Sequence, residues 1–307
     1  MSLYQDPRWP RASAWLAGEC LRNSVGKINV LGVPIAKGSI TPGRCDLAPA
    51  AIRKALERFS TYDFDSDRDL RLLPAKDEGD LNVSSLTPEL AFAPVAEAVA
   101  VSVDAAPAVV LLGGDNSITR PGCHGLKLPL ARCGLLTLDA HLDLRDLENG
   151  LTNGNPVRAL LHDGLPGDHI IQIGIQPFAN SEAYARVARE AGIQVVTADC
   201  AVERGAAAVV REALAYLDER TERIYVDLDL DVLDRVYAPA TPGSRPGGLT
   251  PHLVRKAAHI CGVHPKVRVL DLVEMDPTHD VGDATALVAA ACLLEFASGV
   301  LGRFTRV

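Results

Sequence analysis

The chain has 307 residues, 48% hydrophobic and 23% charged, with a formal net charge of −8. This is the balance of a folded globular protein, and an acidic chain with no basic run and only 5% aromatics excludes nucleic acid as an expected partner. The apolar run Ala286 to Leu294 stops at Glu295, too short to span a bilayer, and the N-terminus has no apolar signal-peptide core, so no membrane partner is expected.

Residues 1–25 carry Pro7, Pro10, Trp9 and Trp15 and read as an arm packing onto the body. After them the chain alternates. Strands are predicted at Lys27–Val33, Ala108–Gly113, Gly134–Ala140, His169–Ile175, Ile193–Thr197, Arg223–Asp229 and Val267–Val273. Their continuous apolar runs suit strands buried on both faces. Helices are predicted at Pro49–Phe59, Pro88–Asp104, Pro156–Leu161, Ser181–Ala191, Ala206–Asp218, Pro251–Cys261 and Ala284–Ser298. The Pro251 helix is punctuated by Thr250 as a candidate N-cap, Pro251 at N1 and Gly262 after the last turn. Strand–helix alternation implies an α/β fold with a mostly parallel sheet and helices on both faces, in one domain over 1–307. The seven cysteines are scattered singly, the pattern of reduced thiols in a cytoplasmic protein.

Four of the strands run into polar, mostly acidic clusters. Ala108–Leu112 leads to Gly113-Gly114-Asp115-Asn116, and the Gly134 strand leads to Asp139, His141 and Asp143. The Arg223 strand leads to Asp227, Asp229, Asp231 and then Asp234; the Val267 strand leads to Glu274 and Asp276. In a parallel sheet these clusters share the carboxyl edge, where α/β folds place their sites. Five or six carboxylates meeting there unpaired would cost several kcal/mol each, and no Lys or Arg cluster adjoins them in sequence. Divalent cations would neutralise them. One His among several Asp is a mixed nitrogen and oxygen donor set suited to Mn²⁺, and less specifically to Fe²⁺, Co²⁺, Ni²⁺ or Zn²⁺. Two such ions would make bound water far more acidic.

The motifs GGDxS, DAHxD and DxDxxD, with the late Glu274, resemble those of the arginase–agmatinase–formimidoylglutamase family, the ureohydrolases. The likeness extends over Gly32–Arg53 and the Asp77–Asp80 turn, and so covers nearly the whole chain. It implies a three-layer α/β fold, two Mn²⁺ ions, and a homo-oligomer (trimer or hexamer). It further implies that Asp139 and Asp229 bridge the metals. His141 and Asp231 would complete the second metal's shell, and Asp143 and Asn116 the first. Glu274 would face the amidine or guanidine nitrogens of a small-molecule substrate, a charge-assisted pairing, and Asp143 would also accept a hydrogen bond from the attacking oxygen. Two positions depart from the family pattern. Asn116 stands where the first metal's His is found, and Asn153 stands where a proton-passing His is found in arginases and agmatinases. An amide oxygen is a weaker donor than imidazole for Mn²⁺, so the first metal is expected to bind less tightly.

Arg145 after the DAHLD motif, the Asp229–Leu233 continuation and the Ala179-Asn180-Ser181 turn are similar to the formimidoylglutamase branch. That branch implies hydrolysis of N-formimidoyl-L-glutamate to glutamate and formamide in histidine breakdown. Arg145, Arg158 and Arg245 are candidates to clamp the two substrate carboxylates. The alternatives are hydrolysis of agmatine, arginine or another guanidino acid, or a metal-poor structural or regulatory subunit. Six converging acidic and His positions weigh against the last, since they would destabilise a scaffold that held no metal.

Overall fold

The computed structural model describes residues 6–305. Among the described residues there are ten strands: β1 Ile28–Val33, β2 Tyr62–Asp63, β3 Arg68–Asp69, β4 Ala75–Asp80, β5 Ala108–Gly113, β6 Cys133–Leu138, β7 Ile170–Ile175, β8 Gln194–Thr197, β9 Arg223–Asp229 and β10 Val267–Val273. Ten α-helices accompany them: α1 Ala12–Leu16, α2 Ala48–Ala55, α3 Pro88–Ala105, α4 Thr119–His124, α5 Pro156–Asp163, α6 Glu182–Ala191, α7 Ala198–Arg204, α8 Ala206–Asp218, α9 Pro251–Val263 and α10 Ala284–Gly302. Eight strands form one sheet in the order β4-β1-β5-β10-β9-β6-β7-β8. Every pairing in it is parallel.

The three layers follow from strand periodicity. In β5, Ala108, Val110 and Leu112 face one hydrophobic core while Val109 and Leu111 face the other. Successive side chains point to opposite faces, and here both faces are covered. The first core takes residues from α1, α2 and α7 to α10. The second takes them from α3 to α6. The strand predictions hold to within two residues at their ends, as ends commonly do.

Three local expectations are corrected. The Asp77–Asp80 turn is instead the end of edge strand β4, whose Asp77 and Asp80 pair with Arg53 at 2.7 and 2.5 Å. Gly262 lies inside α9 rather than after it. A Cβ there would meet the Phe296 carbonyl at 2.2 Å, so this glycine lets α9 and α10 touch. Thr250 occupies the N-cap position of α9 without a side-chain capping hydrogen bond. Helix α10 runs four residues further than predicted and is long and apolar enough to cross a membrane, but 67% of its apolar window is buried within the protein. Residues 1–5 of the expected arm lie outside the described residues. In the remainder, Trp15 is fully buried and its indole N–H donates to the Leu73 carbonyl at 2.7 Å.

Candidate metal centre

Strands β5, β10, β9 and β6 are consecutive in the sheet, so the four acidic strand ends meet at its centre. A cavity of about 380 Å³ opens there, lined among others by His141, Asp143, Arg145, Asn153, Asp229, Asp231, Arg245 and Glu274. Local backbone hydrogen bonds set three of the acids. Asp139 Oδ1 accepts from the His141 N–H at 2.6 Å and Asp229 Oδ1 from the Asp231 N–H at 2.8 Å. Asp231 Oδ1 accepts from the Ala140 N–H at 3.1 Å, tying the β9 end to the β6 end. Asp143 and Glu274 both have left-handed backbones, φ +50° and +64°. For residues with a Cβ this conformation is strained, and strain of this kind gathers at functional sites.

The donor geometry fits a cation. Ligand atoms of Asp139, His141 and Asp231 all lie within 4.8 Å of one another. His141 Nδ1 is 2.9 Å from Asp231 Oδ2 and 3.6 Å from Asp139 Oδ1, and Asp139 Oδ2 is buried with no hydrogen-bond partner. Gly243 lies close over this group: a Cβ there would come within 2.0 Å of Asp231 Oδ2. On the other side, Asn116 Nδ2 is 2.6 Å from Asp143 Oδ2, and the Asn116 N–H donates to Glu274 Oε1 at 2.7 Å.

Crowding of acids governs their protonation. Burial, then the charge of Asp231, pushes Asp139 up to about 7. Burial, then Asp115, pushes Glu274 up to about 8 against the hydrogen bonds from Asn153 and Asn116. Asp143 and Asp229 are raised in the same direction, chiefly by burial and then by neighbouring carboxylates. For Asp231 burial acts upward, but His141 overrides it and holds the group below its ordinary value. Burial alone would lower His141; Asp231 and Asp139 override it and push it up to about 11. The Arg245 guanidinium opposes that protonation. Its Nη1 sits 2.7 Å from His141 Nε2, and because a guanidinium only donates, the contact requires Nε2 to carry no proton. The hydrogen bond therefore selects the neutral ring with its proton on Nδ1, facing Asp231.

Most of the residues expected from sequence meet here. Arg158 does not: its backbone N–H donates to the Asp143 carbonyl at 3.1 Å, while its side chain reaches Asp146 at 3.5 Å and is absent from the cavity lining. Asn153 is present, but as a brace. Its Nδ2 donates to Glu274 Oε1 at 3.0 Å and its Oδ1 accepts from the Ile40 N–H at 3.0 Å. Asp227 lies deeper, in register with Asp271 and Thr137. Asp276 accepts from the Arg44 N–H at 2.9 Å, and Asp234 from the Gly247 N–H at 2.7 Å.

Further residues that shape the site went unassigned. Asn180 holds the turn after β6, accepting from the Leu142 N–H at 2.8 Å and donating to the Ala140 carbonyl at 3.0 Å. Asp115 takes the Gly38 N–H at 2.8 Å and so anchors a loop at the rim. Thr119 and Asp271 lie behind Asn116. The only sequence signal for Asp271 is an acid in the middle of the mostly apolar run of β10.

A parallel-sheet α/β protein with an acidic, cation-type site at its carboxyl edge is thereby defined. The sequence profile described as the arginase family matches residues 26–298, and the chain belongs to that family. It is 35% identical over 274 residues to the formimidoylglutamase of Halalkalibacterium halodurans, covering 88% of this chain and 86% of that one. The crystal structure of the Bacillus subtilis formimidoylglutamase superposes with a TM-score of 0.89 at 30% identity, over 98% of this chain and 94% of that one. The Trypanosoma cruzi formiminoglutamase solved with two Mn²⁺ gives a TM-score of 0.86 at 22% identity, over 96% and 99% of the two chains, a likeness of fold.

Proposed function

We propose that the chain is a Mn²⁺-dependent hydrolase of a linear amidine, acting on N-formimidoyl-L-glutamate to give glutamate and formamide. The carrying observation is the cavity itself: His141, Asp143, Asp229, Asp231 and Glu274 line it with Arg145 and Arg245, and Asp139 lies against His141 and Asp231, in a chain 35% identical to a formimidoylglutamase. Asp139, Asp229, His141, Asp231, Asp143 and Asn116 would hold the two cations, Asp139 and Asp229 serving both by resemblance to the family, His141 and Asp231 the second, and Asp143 and Asn116 the first. The donor set is mostly carboxylate with one imidazole, which suits Mn²⁺, and the T. cruzi relative carries that ion. Bound there, the ions acidify water and neutralise the acids.

The chain's own groups then divide the work. Glu274, braced by Asn153, pairs with the amidinium nitrogens. Asp143 takes a proton from the attacking water and returns it to the departing glutamate nitrogen as the carbon–nitrogen bond breaks. Asn153 supplies no proton, since an amide does not act as an acid in this range. With a cation held at Nδ1, the His141 ring would carry its proton on Nε2, which would then no longer accept from Arg245. Arg245 is then released to meet a substrate carboxylate, with Arg145 beside it.

Two outcomes follow for substitutions. Arg245→Ala should raise KM for formimidoylglutamate about tenfold or more, the scale of a charge-assisted hydrogen bond, with little change in kcat. An unchanged KM in steady-state assays would remove Arg245 from the clamp. Asn116→His should lower the Mn²⁺ concentration needed for half activity, and an unmoved titration would contradict the role given to position 116. The proposal as a whole is tested on a substrate panel. At saturating Mn²⁺, kcat/KM for formimidoylglutamate should exceed that for agmatine, arginine and 3-guanidinopropionate by about a hundredfold or more, the discrimination expected of a site built to pair a substrate's charged groups. Preference for any of the other three would reassign the substrate.

A further inference from the structure

A ligand change from imidazole to amide raises a problem of orientation. Imidazole presents a nitrogen lone pair to a metal from either ring atom, whereas an amide must turn its oxygen inward, because its NH₂ cannot bind a cation. The two ends are equal in size, so the surrounding hydrogen bonds decide between them. Asn116 is 1% exposed and sits between two partners. One end lies 2.6 Å from Asp143 Oδ2, the other 2.7 Å from Thr119 Oγ1. Thr119 Oγ1 in turn lies 3.0 Å from Asp271 Oδ2. Thr119, Asp271 and Tyr225 are all fully buried.

With the NH₂ toward Asp143, the Thr119 hydroxyl faces two acceptors, Asn116 Oδ1 and Asp271 Oδ2. It has one proton. As a carboxylate Asp271 is the stronger acceptor of the two, and it is held in place by the Tyr225 hydroxyl on the same Oδ2 at 2.6 Å and by the Leu228 N–H on Oδ1 at 3.1 Å. Two oxygens are then left facing each other at 2.7 Å in a dry interior, which is unfavourable. Reversing the amide removes that conflict. Nδ2 donates to Thr119 Oγ1 and Thr119 donates to Asp271, so the hydroxyl no longer faces two acceptors with one proton. The reversal turns Oδ1 toward Asp143 Oδ2, two oxygens in close contact, and a cation shared by the pair makes that contact favourable.

We propose that Thr119, held by Asp271, is a positioning residue that turns the Asn116 amide oxygen into the first metal position. This rests on the dimetal reading above. Outer partners of this kind commonly change metal affinity by about 10–100-fold when removed. Thr119→Val keeps the shape of the side chain and removes its hydroxyl; Thr119→Ser keeps the hydroxyl. Mn²⁺ titration of the full-length protein by calorimetry, with bound ions counted by metal analysis, should show two ions in the wild type and in Thr119→Ser. In Thr119→Val the weaker ion should bind roughly tenfold less tightly or be lost, with the tighter ion unmoved. A folded Thr119→Val that binds both ions with wild-type affinities would overturn the proposal while leaving the dimetal reading intact. Fewer than two ions in the wild type would overturn both. A neutron structure of the Mn²⁺-loaded wild type gives an answer independent of the variant's folding: deuterium on Asn116 Nδ2 directed at Thr119 is the expected result, and deuterium directed at Asp143 would refute it.

Discussion

Asp229→Ala should release both Mn²⁺ ions and lower turnover of formimidoylglutamate by about a thousandfold or more, since both the acidified water and the charge stabilisation depend on the ions. Asp229 ends β9 between the Asp139 and Glu274 strand ends, 3% exposed, and is assigned to both metals. In the proposed site only Asp139 would share that double role. The substitution also removes the acceptor for the Asp231 N–H, so Asp231 loses the hydrogen bond that fixes its own approach. Metal analysis on the purified variant checks this, and two ions retained at full occupancy would show that the bridge is elsewhere. Asp229→Asn keeps the size and the acceptor but removes the charge. It should lose metal as well, separating the electrostatic role from the local hydrogen bond.

The second large effect is on stability against pH. Asp139 titrates near 7 and Glu274 near 8 in the folded chain, against ordinary values of 3.8 and 4.5, and Asp143 and Asp229 move the same way. Between about pH 4 and 8 the folded, metal-free chain thus binds more protons than the unfolded chain. Unfolding stability then falls as pH rises through that window. His141, whose Nε2 accepts from Arg245 and whose ring is therefore neutral, adds no proton to this balance. Asp231, held below 3.8, acts in the opposite direction, but only at lower pH. Mn²⁺ binds the folded chain after these protons leave, so its stabilisation should grow over the same range. The expected result in thermal melts is a metal-free Tm that drops from pH 5 to pH 8 and a Mn²⁺-induced rise that is largest at pH 8. A metal-free Tm that stays flat or climbs over that interval would mean that the acids do not crowd one another as the geometry implies.

What could be seen in advance, and what could not, follows from the range of each signal. The central strands announce themselves as apolar runs because both of their faces are covered. Edge strand β4, Ala75–Asp80, is mostly exposed and polar and carries no such run, so its acidic end reads as a turn. The acids of β6, β9 and β10 were legible because a parallel sheet brings all strand ends to one edge. Adjacency within that edge, with β5, β10, β9 and β6 side by side, depends on crossovers that no local pattern encodes. Arg158 shows the limit of proximity in sequence. It starts a helix near the site, yet its side chain turns to Asp146. Asn153 stands at the expected place, but its hydrogen bonds to Glu274 and Ile40 join segments far apart in sequence and leave no local sign. The Thr119–Asp271 hydrogen bond spans 152 positions, and nothing local to either residue foretells it.

Cation-dependent amidine hydrolysis in the acidic crevice is what a single assay can decide. Glutamate release from N-formimidoyl-L-glutamate by the full-length protein, measured with added Mn²⁺ and with chelator, tests it most directly. Release that rises with Mn²⁺ and stops with chelator is the predicted result. No release at saturating Mn²⁺, or release indifferent to chelator, would contradict it.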